Sequence, residues 1–226
     1  MKTYLYHNLG MGDHIICNAI VRHFAQELGL IHLFAKHHNS DSVKFMFRDI
    51  DVNVVCVADD REVEEIIEKG NADKVIRIGC TGDGWVSDRN QTFDEVFYKQ
   101  AGIDFKYRWD GFKYDIKETK PHERMYCGKS LDFIFVHDDK DRGFKIDESY
   151  LAEREFIITP ERPKTSNMMM WDRFLSVSKE IHCINSAFLL LADSIPTTGK
   201  LFYHKYARNE GWFCNPRLRK AWEVIE

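Results

Sequence analysis

Residues 3–35 read TYLYHNLGMGDHIICNAIVRHFAQELGLIHLFA, and three patterns follow one another along them. Thr3 to His7 is an apolar, aromatic run of strand composition. It meets a Gly10-x-Gly12 turn and then a helical pattern from about His14 to Leu28, with Ile16, Ile20, Phe24 and Leu28 four residues apart and Gly29 as the stop. Ile31 to Ala35 is a second strand. Strand, turn, helix and strand make a βαβ unit, which requires parallel strands with the helix packed across them.

The same alternation extends outward. Ser42 to Arg48 is a short, weak helix, Val52 to Val57 a strand, Asp60 to Lys69 a charged helix ending at Gly70, Lys74 to Ile78 a strand, and Phe93 to Ala101 a helix closed by Gly102. The period weakens between Arg108 and Arg124, where aromatics, charges and Pro121 mix. It then restarts. Leu131 to His137 and Glu155 to Ile158 read as strands, Met169 to Lys179 as a helix, Ile181 to Ile184 as a strand, Ser186 to Ile195 as a helix and Leu201 to His204 as a strand. The expected fold class is α/β, a compact pair of Rossmann-like domains facing a cleft, residues 1–110 and residues 111–226. Ligands of such sheets bind at the carboxyl ends of the strands, so the informative residues should follow strands.

Composition narrows the function. The 226 residues carry 32 Lys and Arg against 36 Asp and Glu, a formal charge of −4, with 44% hydrophobic and 13% aromatic residues. That composition suits a globular core, and it lacks the cationic face by which a nucleic-acid binder releases counterions. No apolar run approaches the ~18 residues of a membrane span, and MKTYLYHNLG lacks the apolar core of a signal peptide. Cys17, Cys56, Cys80, Cys127, Cys183 and Cys214 form no Cys-x-x-Cys pair, which fits reduced thiols in a cytoplasmic protein.

Three post-strand segments carry candidate chemistry. The first runs from His7 to His14, with Gly10 and Gly12 admitting a ligand to the backbone and the helix start favouring an anion. It departs from the dinucleotide fingerprint, because the third glycine position is Ile15. Asp13 is a candidate catalytic carboxylate, and equally a candidate N-cap for the helix. The second segment is His137-Asp138-Asp139-Lys140-Asp141-Arg142-Gly143-Phe144-Lys145. Arg142 and Lys145 could neutralise a diphosphate, while Asp139-x-Asp141 spells a motif that holds Mg²⁺ or Mn²⁺. A solvated turn explains the same residues without a ligand. The third is the strand-to-helix step at Asn185, Ser186 and Ala187, suited either to phosphate or to simple capping. His204, Lys205 and Arg208 follow the last strand and could add charge. His37 and His38 read as surface, Met168 to Met170 as the buried start of a helix, and Trp109 and Trp212 as groups that pack at the domain junction or stack on a base or sugar.

The segment NLGMGDHIICNAIVRHFAQE resembles the G-x-G-D opening of GT-B glycosyltransferases related to the ADP-heptose:lipopolysaccharide heptosyltransferases. INSAFLLLADSI resembles the Ser/Thr-Ala-x-x-His-Leu-Ala segment with which that superfamily binds the donor diphosphate, although Leu190 stands where the pattern has His. FDEVFYKQAGIDFKYRWDGF, FIFVHDDKDRGFKI and LFYHKYAR are similar to a compact group from bacterial and viral polysaccharide gene clusters. The resemblance implies an inverting, metal-independent sugar transfer from a nucleotide-diphosphate sugar to a glycan or glycolipid acceptor. It implies Asp13 as the base and Ser186 with Ala187 as the helix start that binds the diphosphate. The chemistry of the post-strand segments adds Gly10, Gly12, His137, Arg142, Lys145 and Asn185 as donor contacts, with Asp138, Asp139, His204, Lys205 and Arg208 as further candidates. No resident cofactor is implied. The alternatives are a metal-dependent transferase using Asp139 and Asp141, or a silent nucleotide-sugar-binding module.

Overall fold

A computed structural model describes residues 1–79, 91–115, 133–151, 156–160, 167–208 and 215–226. The chain divides into two compact units, residues 1–116 with 212–217 and residues 117–211 with 218–226. Among the described residues the strands form two sheets, every strand pair within them parallel.

In the first unit, β1 (Thr3–Tyr6), β2 (Ile31–Lys36), β3 (Val52–Val57) and β4 (Lys74–Arg77) lie in the order β3-β2-β1-β4. The aromatic character of β1 follows from its central place. Tyr4, Tyr6 and Phe34 bury one face of the sheet with Leu9 and Val57, against Val63 of α4 (Asp60–Lys69). Tyr6 keeps its hydroxyl satisfied there by donating to Asp60 at 2.6 Å. The ends of α4 and α5 (Phe93–Ala101) are written in the sequence. Asp59 caps α4, Thr92 and Glu95 form a capping box on α5, and Gly102 closes α5 at φ 70°.

The expected helix from His14 to Leu28 is two helices, α1 (Met11–Ile16) and α2 (Asn18–Leu28), which meet at Cys17 with φ −81° and ψ 3°. Buried Asn18 accounts for the break. Its side-chain amide donates to the Lys113 carbonyl and accepts from the Lys113 N–H, both at 3.0 Å, and this fixes the start of α2 independently of α1. The weak helix expected at Ser42 is α3 (Ser40–Met46), entered through a 3-10 turn at His37–Asn39. A short α6 (Tyr107–Asp110) occupies part of the stretch in which the period fades. Its Arg108 is buried beside Asp94, which it contacts, and donates to the Arg217 carbonyl at 2.6 Å. Arg217 N–H in turn donates to Asp94.

In the second unit the order is β6-β5-β7-β8-β9, with β5 (Ile134–His137), β6 (Ile157–Ile158), β7 (Glu180–Cys183), β8 (Lys200–His204) and β9 (Glu223–Ile225). Phe135 is packed against Trp171 and Phe188, placing α7 (Asp172–Val177) and α8 (Ala187–Ser194) on one face. Ile134, Val136, Ile146 and Ile184 bury the other. The helix expected from Met169 is a 3-10 turn at Met168–Trp171 followed by the shorter α7, which ends where Ser178 adopts an extended backbone, φ −63° and ψ 144°. Buried Asp193 on α8 accepts from the N–H groups of Arg219 and Lys220 and from Trp222 Nε1, anchoring residues 219–222. Residues 131–132 and 155, the loop around Trp85, and Trp212 lie outside the described residues.

Candidate functional site

A parallel sheet forms a crevice where the strand order reverses, at the carboxyl ends of the two strands flanking the reversal. In the first unit that point lies between β1 and β4, and in the second between β5 and β7. The loops leaving those strands are residues 7–10 and 78–79, and residues 138–145 and 184–186. All three segments singled out by sequence therefore open at reversal points, the first after β1 and the second and third after β5 and β7.

At the first point, Gly10 rather than Asp13 is the N-cap of α1, with φ −71° and ψ 147° and no side-chain cap. Asp13 stands three residues into the helix and reaches back, so the Gly10 N–H donates to its carboxylate. Gly10 is small for a reason: a Cβ there would strike the Asp13 carboxylate oxygen. Gly12 lies within α1. Asp13 is half-buried, and burial raises its carboxyl to about 7, against the hydrogen bonds from Asn8 and Gly10 and the charge of Lys36, which pull it down. His7 and His14 are fully buried edge to face, 4.5 Å between ring centres. His7 Nδ1 donates to the Asn8 carbonyl at 2.6 Å, while His7 Nε2 and both His14 ring nitrogens have no hydrogen-bond partner among the described residues. Burial pushes His7 down to about 4 and His14 well below its usual value. Asn39 ties the 3-10 turn after β2 to this loop by donating to the Leu9 carbonyl at 3.0 Å.

At the second point, residues 139–144 form a tight hairpin. Asp139 and Phe144 exchange backbone hydrogen bonds of 2.8 and 2.9 Å, and Gly143 supplies the left-handed φ of 83° that closes the turn. The Asp139 carboxylate accepts from the Arg142 backbone N–H at 3.2 Å and from its guanidinium, and Arg142 holds it below the usual carboxylate range. This hairpin hence uses Asp139 and Arg142 on each other. Asp138 faces Lys140 at 4.0 Å, Asp141 and Lys145 are exposed, and no group of three metal-ligating side chains occurs among the described residues.

Asn185, Ser186 and Ala187 open α8 as the sequence predicts, yet the cap is empty of side-chain bonds. The Ser186 hydroxyl is buried without a partner among the described residues, as is Nδ1 of His137, whose ring lies 4.6 Å from Phe188. Arg208 completes the group. It donates to the Asn185 carbonyl at 3.0 Å and packs on Phe144, which Arg142 also approaches. The charges of Asp139, Arg142 and Arg208 all act on His137, which burial lowers to about 4. Two other post-strand residues lie elsewhere. His204 is fully buried in a chain in which His182 links it, at 2.9 Å, to Glu180, and burial lowers it to about 4, so it brings no charge to a ligand at neutral pH. Lys205 pairs with Glu226 at 2.6 Å.

Sequence reasoning gave no role to Asn8, Gly79 or Phe144. Asn8 lies within the His7–His14 segment and Phe144 within His137–Lys145, and a glycine directly after a strand, as in Ile76-Arg77-Ile78-Gly79, is the signal for the third. An open groove of about 680 Å³ along α2 and α6 is a different feature. It borders residues 49–51, at the amino edge of the sheet, and its Arg22 is taken up by Asp49 at 2.8 Å.

No protein-family model matches the chain, and no curated protein matches it in sequence. Its backbone does match solved structures. E. coli ADP-heptose LPS heptosyltransferase II superposes with a TM-score of 0.57 at 9% identity, covering 100% of this chain and 90% of that one. A glycosyl transferase family 9 protein from Veillonella parvula gives 0.61 at 11% identity over 99% and 86% of the two chains. E. coli heptosyltransferase WaaC with ADP-2-deoxy-2-fluoro heptose gives 0.55 at 12% identity over 100% and 93%. The fold that the sequence motifs resemble is thus the fold the chain adopts.

Proposed function

We propose that this protein is a GT-B glycosyltransferase that moves a sugar from a nucleotide-diphosphate sugar to a hydroxyl of a glycan or glycolipid with inversion and without a metal. The observation that carries this reading is Asp13. A carboxyl raised to about 7 at the strand-order reversal, on a fold shared with heptosyltransferases, is matched to proton transfer at neutral pH. Asp13 accepts the proton of the acceptor hydroxyl as that oxygen attacks the anomeric carbon. The bond from that carbon to the diphosphate oxygen breaks, and the nucleoside diphosphate departs with the electron pair.

The second unit supplies the donor side. The start of α8, with the N–H groups of its first turn and the unpartnered Ser186 hydroxyl, offers fixed donors to the departing charge. Arg208 and Lys145 add cations, and Arg142 acts while held by Asp139. No helix among the described residues is long and apolar enough to cross a membrane, and Cys17, Cys56 and Cys183 are free thiols. The reading includes a cytoplasmic location.

Thermal unfolding with ADP-, GDP-, UDP-, CMP- and dTDP-sugars, each with and without EDTA, tests it. One nucleotide sugar should stabilise the protein whether or not EDTA is present, and Asp13→Asn should keep that stabilisation while losing transfer. Stabilisation abolished by EDTA would move the donor role to Asp139 and Asp141. Silence across the panel would overturn the reading.

A further inference from the structure

The loop that leads from β1 into the helix bearing Asp13 is braced by residues with no assigned part in the reaction. The Asn8 side-chain amide donates to the Asp13 carboxylate. Its backbone carbonyl is gripped by His7 Nδ1 at 2.6 Å. Its side-chain oxygen lies against Gly79, where a Cβ would come within 2.9 Å of Asn8 Oδ1 and 3.3 Å of the Phe97 ring. Gly79 has φ 104°, a conformation that strains any residue with a side chain. Gln100 on α5 clamps that peptide from outside. Its Oε1 accepts from the Gly79 N–H at 2.7 Å and its Nε2 donates to the Gly79 carbonyl at 3.3 Å.

We propose that Asn8 is the positioning residue for Asp13, fixing the direction of its carboxylate and the pH at which it accepts a proton, and that Gly79 and Gln100 hold Asn8 in place. This rests on Asp13 being the base. An N–H donated to a carboxylate favours the ionised form, so Asn8 acts against the burial that raises Asp13. Without it the carboxyl would remain protonated at neutral pH and could not take the acceptor's proton. The ionisable groups around Asp13 are Lys36 at the end of β2, Cys17 at the end of α1, and the buried His7 and His14. Substitutions at 8 or 100 leave all four in the chain.

The test is a ¹³C NMR titration of the aspartate carboxyls in the full chain, with Asp13→Asn assigning the resonance. Asn8→Ala should move the Asp13 midpoint upward by about one pH unit, the size set by one charge-assisted hydrogen bond. Asn8→Ser, which retains a short donor, should restore part of the shift, and Gln100→Ala, an exposed change, should give a smaller upward one. The acid limb of the kcat/KM profile should follow the resonance. An Asp13 midpoint unmoved in Asn8→Ala overturns the proposal, and if that variant does not fold, an unmoved midpoint in Gln100→Ala does so. A midpoint that moves while the activity profile stays fixed upholds Asn8 as the brace and removes Asp13 as the base instead.

Discussion

Arg208 donates through its guanidinium to the Asn185 carbonyl oxygen at 3.0 Å, so a residue that follows β8 holds the peptide on which α8 begins. The same guanidinium lies 5.3 Å from the Phe144 ring centre, joining that turn to the loop after β5.

The next residue, Ser186, has a buried hydroxyl with no partner among the described residues, an arrangement that costs stability. Ser186→Ala should therefore leave unfolding free energy unchanged or raise it by up to about 1 kcal/mol, while weakening nucleotide-sugar binding about tenfold. Urea unfolding and titration calorimetry read the two effects separately. Undiminished affinity would take Ser186 out of the donor site.

Asp13 makes the opposite contribution to that of an ordinary surface carboxylate. Its folded-state value of about 7 lies above the unfolded value of 3.8, so the native state holds an extra proton between them. Stability is consequently lost as pH rises through that window, and the cost is complete above about 7. Asp13→Asn should raise stability by about 2 kcal/mol at pH 8 and by nothing at pH 4, after discounting for partial exposure. Activity should fall by about 10²- to 10⁴-fold. Thermal unfolding at the two pH values, with a transfer assay, checks both.

His7, His137 and His204 are held at about 4, and His14 low as well, each by burial. The unfolded chain takes up protons at these rings near 6.5, before the native state does. Their contribution is present above 6.5 and disappears as pH falls toward 4. Between pH 7 and 5 the protein should lose at least about 2 kcal/mol, the gain at Asp13 offsetting part of a larger decline. His204→Gln, which keeps a donor for His182, should flatten the curve. A stability profile level from pH 7 to 5 would refute this assignment.

Asp94 is wholly buried and Arg108 is 1% exposed, so neither charge has water to fall back on. Burial raises the Asp94 carboxyl, and the Arg108 charge opposes that rise. Removing one partner strands the other, and Arg108→Met should cost about 3–5 kcal/mol in urea unfolding. Asp94→Asn with Arg108→Met together should cost less than the sum of the two alone. Strict additivity would mean that the pair is not coupled.

Much of this molecule is legible from local chemistry. Periodicity placed Thr3–Tyr6, Val52–Val57 and Phe93–Ala101 close to where they form, because strands of a buried parallel sheet and capped helices announce themselves in apolar runs and in residues such as Thr92 and Gly102. The break at Cys17 could not be read, since Asn18 is held by Lys113, 95 residues away. Strand order was equally hidden, although it brings Gly79 beside Asn8. His204 reads in sequence as a cation after a strand; only its burial and its hydrogen bond to His182 on the neighbouring strand show it to be an uncharged interior group. Short β9 carries no apolar pattern, with Glu223 and Val224 exposed.

Asp94 and Arg108 acquire their last partner, Arg217, from a stretch made more than a hundred residues later. During synthesis the first unit waits, its buried ion pair short of two backbone hydrogen bonds, until the whole second sheet except β9 has been translated. Two residues beyond, Arg219 is claimed by Asp193 instead. Neither unit can then be cut out as one uninterrupted length of chain, and a separately expressed 1–116 should be a poorer folder than its compactness suggests.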